Sequence, residues 1–108
     1  MEYTEKPDKW LLIRVKGQSP HWRIFATWGG GYTYGESWRL NSGVKSVEDK
    51  DGYFDFIGYS GSVYRCSKTM YGTTVYGSGV LKDLLSKSDL LEAVWEEPSD
   101  ILKTMEIV

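Results

Sequence analysis

Apolar and polar residues alternate with a period of two through most of the first two thirds of the chain, the pattern of half-buried β-strands. In residues 9–15, Leu11, Ile13 and Val15 fall on one face and Trp10, Leu12 and Arg14 on the other. Both faces are largely apolar, which predicts a central strand. Residues 17–20 read as a turn, and residues 21–28 as a second strand. Trp22, Ile24, Ala26 and Trp28 share one side of it; Arg23, Phe25 and Thr27 share the other. The short connection predicts that the two strands pair as a hairpin. Gly29, Gly30 and Gly31 break the pattern. Extended chain resumes over residues 32–40, with Trp38 and Leu40 opposite Arg39. Residues 44–48 form a fourth strand. Asp51-Gly52 is a strong hairpin signal. It leads into residues 53–59, where Phe54 and Phe56 oppose Tyr53, Asp55 and Ile57. Ser60-Gly61 turns the chain into a sixth strand over residues 62–67.

The period changes late in the chain. Val80, Leu81, Leu84 and Leu85 recur at helical spacing, and Ser78 suits an N-cap, so a helix is expected near residues 79–87. Residues 68–77 hold neither period. Residues 90–96 suit a last strand or a second helix, the alternation of Leu91, Ala93 and Trp95 favouring the strand, and Pro98-Ser99-Asp100 opens a short final helical turn. Residues 105–108 are apolar enough to add an edge strand or pack on the core. Residues 1–8 are expected to be a loose arm. The class is α+β: one domain over residues 1–108, a five- to seven-stranded antiparallel sheet or partly open barrel packed by one helix. The alternative is an all-β sandwich or barrel with that helix as a cap.

Composition narrows the chemistry. The 108 residues are 41% hydrophobic and 26% charged, which is globular and sized for one core. No apolar run approaches the ~20 residues that span a bilayer, and the charged N-terminus does not resemble a secretory signal. A cytoplasmic protein without membrane contact is expected. The net charge of -2 disfavours duplex DNA as a partner. One cysteine, Cys66, and one histidine, His21, rule out an internal disulfide, a cysteine zinc site and any two-imidazole site within one chain. No cofactor is expected. What stands out is 15% aromatic residues, with five Trp and eight Tyr, beside twelve Gly. Aromatic rings bury large areas yet keep a polar handle, and so serve both cores and flat ligands.

Several groups of residues carry candidate chemistry. Cys66 with His21, oriented by Asp55 or Asp51, is the available nucleophile pair, although a buried Cys is more often a small hydrophobe. The Gly29–Gly31 run lacks the following helix and Lys-Ser or Lys-Thr of a phosphate loop, and suits a strand connection. Glu48, Asp49 and Asp51, and the pair Glu96-Glu97, look solvated rather than tuned for proton transfer. The remaining set joins rings, guanidinium groups and small polar groups: Arg23, Trp38, Arg39, Asn41, Tyr59, Tyr64 and Arg65. Arginine grips phosphate or carboxylate bidentately, and Tyr and Trp stack on rings. If the segments around residues 37–43 and 58–65 adjoin, these seven residues form a ligand platform. The competing reading makes the rings core and the arginines solvated rim.

The stretches Trp28-Gly29-Gly30-Gly31-Tyr32, Ser37-Trp38-Arg39-Leu40-Asn41-Ser42-Gly43 and Tyr59-Ser60-Gly61-Ser62-Val63-Tyr64-Arg65-Cys66 resemble short proteins encoded in tailed-phage genomes. The resemblance covers most of the chain between residues 9 and 79 and brings with it no activity or catalytic residue. It implies a role in host takeover or counter-defence, in the host cytoplasm, by binding rather than turnover. The leading expectation is a non-enzymatic binding protein that acts on a host protein or sequesters a small nucleotide-like anion. A single-stranded nucleic-acid-binding module is the alternative, and a small enzyme using Cys66 and His21 the third.

Overall fold

A computed structural model of the chain describes residues 4–29 and 36–106. Its organising strand is β2 (Lys9–Val15), which pairs antiparallel with β3 (His21–Gly29), Lys9 opposite Thr27 and Val15 opposite His21. β3 pairs in turn with β4 (Glu36–Leu40). After a turn the chain builds a second sheet from β5 (Val44–Asp49), β6 (Tyr53–Gly58) and β7 (Val63–Ser67). Helix α1 (Val75–Ser86) returns it to the first sheet, where β8 (Leu91–Ala93) pairs with β2. Helix α2 (Ile101–Glu106) follows. β1 (Thr4–Glu5) adds to the second sheet in parallel with β7.

The result is two mainly antiparallel four-stranded sheets, β4-β3-β2-β8 and β1-β7-β6-β5, facing each other without closing into a barrel. The α+β expectation therefore holds, with the strands divided between two sheets. Residues 4–8, expected within a loose arm, are tied to the strands. Thr4 and Glu5 pair with β7, Pro7 is buried, and the backbone N–H of Asp8 donates to Thr27 O at 3.0 Å. Gly30, Gly31 and residues 32–35 of the expected third strand lie outside the described residues.

Alternation along β2 and β3 feeds two cores. Trp10, Leu12, Trp22, Ile24 and Ala26 point between the sheets and meet Val44, Phe54, Phe56, Tyr64 and Cys66, with Ile101 of α2 packed beside them. Leu11, Ile13 and Phe25 point the other way and are covered by Leu81, Leu84 and Leu85 of α1. Trp10 is the hub of the inner layer. Its ring lies 5.3 Å from Phe56, 6.2 Å from Phe54 and 4.8 Å from Tyr71, and its indole N–H donates to Ser67 O at 2.7 Å.

α1 begins a turn earlier than its apolar spacing predicts. Thr74, not Ser78, is the N-cap, and its hydroxyl accepts from Gly77 N at 3.0 Å. Gly77 and Gly79 disguise this first turn, because glycine is a poor helix former. Gly77 is needed for closeness: a Cβ there would stand 2.3 Å from Thr27 Cγ2. Nothing lies within 4 Å of a Cβ at Gly79. Gly79→Ala is therefore expected to stabilise the protein by about 0.5–1 kcal/mol, from helix propensity alone. Gly77→Ala is expected to destabilise it despite the same propensity gain. Urea unfolding of the two variants checks the opposite signs.

Tyr71 closes a gap in the sheet beside β2. Its hydroxyl accepts from Leu12 N at 3.1 Å and donates to Val94 O. Burial pushes its phenol up to about 12, helped by Glu97 and opposed by the Leu12 N–H. A phenol whose folded value lies above the ordinary ~10 favours folding below that pH and loses the contribution as pH rises toward 12. Stability is thus expected to fall between about pH 10 and 12, less steeply in Tyr71→Phe. That variant should also lose about 1–3 kcal/mol at neutral pH, because Leu12 N is left without an acceptor. Chemical denaturation across that pH range measures both effects.

Candidate functional site

The β2–β3 hairpin ends at Pro20, and β3 opens with His21 and Arg23, two residues apart and so on the same side. Arg23 Nε donates to His21 Nε2 at 3.1 Å, while His21 Nδ1 lies 2.8 Å from Ser19 O. A guanidinium only donates, so Nε2 must accept and the proton sits on Nδ1. The guanidinium is turned by the imidazole, its two Nη groups having no partner among the described residues.

Two glycines bring the second sheet to this point. Gly43, with φ of +136°, occupies a backbone conformation that side chains disfavour; a Cβ there would stand 3.1 Å from Tyr59 Cδ2 and 3.4 Å from His21 Cδ2. Gly58 passes against Gly43 O, 3.2 Å from where its own Cβ would be, and Tyr59 N donates to that same oxygen at 3.1 Å. The β6–β7 turn therefore carries Tyr59 over Gly43 to the edge of His21. The Tyr59 side chain stays 67% exposed and presents a bare ring.

The convergence makes two adjoining hollows. The smaller, about 270 Å³, is bounded by Ser19, Pro20, His21, Arg23, Ser42 and Tyr59. The larger, about 460 Å³, shares Pro20, His21 and Tyr59 and continues over Trp22, Lys45 and Ser46 to Met105 of α2. Each contains a cation, and among the described residues neither is lined by a carboxylate. Two further hollows differ: one is lined by Asp49, Glu97 and Asp100, the other by Glu48 and Asp55. The protein is acidic overall, so a cleft with Arg23 and Lys45 and no acid is where an anion finds the least repulsion.

The seven expected site residues do not form one platform. Arg23 and Tyr59 meet in the cleft. Asn41 lies beneath it, buried, with its side-chain oxygen accepting from Ile24 N at 2.8 Å. Trp38 stacks on Phe25 at 5.8 Å on the outer face of the first sheet. Arg39, on the opposite face of β4, pairs with Glu5 at 2.9 Å and links the two sheets at one edge. Tyr64 is sealed between the sheets. Arg65 grips Asp55 through Nε and Nη2 at 3.0 and 3.1 Å and lies over the Tyr53 ring. The hydrogen bond to Asp55 holds the Arg65 guanidinium above its ordinary value. Arg65→Ala is expected to lower the thermal midpoint, because the buried Asp55 carboxylate loses its partner; differential scanning calorimetry checks it.

Sequence reading took His21 only as a partner for Cys66 and overlooked Lys45. The signal for the first was present: His21-x-Arg23 at strand spacing puts both on one face. Cys66 lies in the sandwich core, far into the layer that His21 does not face. Burial raises its thiol well above the ordinary value, with Asp55 adding to the effect. Such a thiol is a poor nucleophile. Among the described residues no group of three or more His, Cys, Asp or Glu is placed to hold a metal. Among them, too, no helix is long and apolar enough to cross a membrane. No protein-family model, curated protein or solved structure matches the chain.

Proposed function

We propose that the protein is a non-enzymatic binding protein that sequesters a small, ring-bearing, nucleotide-like anion in the cleft of His21, Arg23 and Tyr59. The single observation that carries this reading is the pairing of an oriented guanidinium with an exposed ring in hollows free of carboxylates. Arg23 supplies a bidentate grip for phosphate or carboxylate, and Tyr59 a stacking face. The site offers no activated nucleophile, so the ligand is held and not turned over. A phage-encoded protein of this kind would act in the host cytoplasm by lowering the free concentration of a signalling anion.

The single-stranded nucleic-acid reading is less favoured, because Arg39 and Arg65 are matched by Glu5 and Asp55 and do not extend the cleft into a basic track. A host-protein partner is supported by one separate feature: β4 is an outer strand of its sheet and carries Trp38, 38% exposed.

Native mass spectrometry of protein purified from expressing cells is expected to show a retained anion of small mass. Isothermal titration with nucleoside monophosphates tests the site directly. Arg23→Gln should weaken binding by about 10- to 100-fold, the usual worth of a charged hydrogen bond. Arg39→Ala should leave it unchanged. Equal losses in both variants, or a co-purifying polypeptide with no small molecule, would overturn the assignment.

A further inference from the structure

The larger hollow has a feature that the anion reading does not use. Trp22 lines it and is only 6% exposed, and its indole N–H has no acceptor. Buried N–H groups are nearly always satisfied, so an orphan on a residue that lines a cavity calls for an explanation. Trp22 also sits opposite Arg14 on β2, whose Nε is a second buried donor without a partner.

The remaining lining suits a flat ring. Val44 and Val47 contribute one side, and Leu102 and Met105 of α2 the other. The volume of about 460 Å³ falls within the ~300–1,000 Å³ typical of small-molecule sites. Tyr59 and His21 belong to both hollows, so a ligand anchored at Arg23 reaches the larger one past the Tyr59 ring. The Trp22 N–H itself is covered, and contact with it requires a lining side chain to give way. Met105, unbranched and adaptable, is the lining group best suited to do so.

We propose that the larger hollow is the ring-binding half of the site, and that it selects a ring bearing a carbonyl or ring-nitrogen acceptor for the Trp22 N–H. This rests on the anion reading above and adds the class of ring. Lys45 and Ser46, at the mouth, remain available to polar substituents of the same ring. A ring with no acceptor would leave the donor as unsatisfied as it is in the empty protein, and gain only contact area. Discrimination of this kind comes from a donor that must be met, not from hydrophobic fit.

Two probes with the same ribose and phosphate separate the terms: inosine monophosphate, and indole riboside monophosphate, whose ring has no acceptor. Inosine monophosphate is expected to bind about five- to tenfold more tightly, the effect of one neutral hydrogen bond. The Trp22 indole resonance, assigned through Trp22→Phe, should move with that probe and not with the other. In folded Trp22→Phe the preference should disappear while phosphate-dependent binding persists; the comparison on the unaltered protein stands without that variant. Equal affinity for both probes overturns the acceptor assignment and leaves the anion reading intact. So does a preference that survives in Trp22→Phe. Failure of both probes and of inorganic phosphate to bind overturns both readings.

Discussion

The fold depends on the complete burial of Trp10, Leu11, Leu12 and Ile13, four successive residues of β2 with at most 1% exposure. Alternation sends two of these side chains into each face, so both faces of the first sheet must be covered. The second sheet covers one and α1 the other. Burial also removes water as a partner for the strand's own backbone, and each peptide group there must be met within the protein. β3 meets one edge throughout. The other edge is met piecewise: Met70 and Gly72 bond Trp10, the Tyr71 hydroxyl and Val94 bond Leu12, and β8 pairs from Ile13 to Val15. The segment after β7 is irregular because it fits between Trp10 and the start of β8, where no regular strand is long enough to serve.

The cleft is a consequence of how the two sheets part at the far end of that strand. The β4–β5 connection and the β6–β7 turn both arrive there, and they touch through backbone at Gly43, Gly58 and Tyr59 N. Only glycines permit that approach, and the approach places a ring from one sheet beside an imidazole from the other. Two other arginines are paired. Arg39 with Glu5 ties one edge strand to the other across the sandwich, and Arg65 with Asp55 forms a cross-strand pair on the outer face of the second sheet. The partly exposed Arg39–Glu5 pair contributes little to stability, ~0–1 kcal/mol for an exposed one, whereas the buried Asp55 carboxylate depends on Arg65. Both pairs also act on charge distribution: they leave Arg23 and Lys45 as the cations of an acid-free cleft.

Much of this architecture was legible in the residues. β2, β3, β6 and β7 follow from alternation alone, and Asp51-Gly52 marks its hairpin, Gly52 having φ of +90°. The facing of Phe54 and Phe56 against Asp55 likewise follows from period two. The start of α1 was hidden because Thr74 caps a turn containing two glycines, of which Gly77 serves close contact with the distant Thr27 and not local propensity. The division into two sheets was hidden for a similar reason: nothing between β4 and β5 announces that the chain changes layer. Among the site residues, Arg39 and Arg65 were chosen for their guanidinium groups, while the carboxylates opposite them, Glu5 and Asp55, stand on other strands. Sequence displays the cation and not its partner. Tyr64 and Tyr59 look alike in the chain, yet one lies inside β7 and the other on a turn, and that alone seals the first and bares the second.

The same frame bears on binding against turnover. The Arg23 guanidinium is turned by an imidazole that is itself fixed to a backbone carbonyl, so the orientation that the proposed anion would need exists before it arrives. Rotamer freedom that a loose arginine loses on capture, up to ~2 kcal/mol, has here been lost in part on folding. The same contacts also occupy the imidazole. His21 has both ring nitrogens engaged, one donating and one accepting, and neither is free to take a proton from a bound molecule without breaking the contact that holds Arg23. Proton transfer in a hydrolytic or transfer reaction would ask His21 to give up one of these contacts, which is why they support the binding reading proposed above over one with turnover.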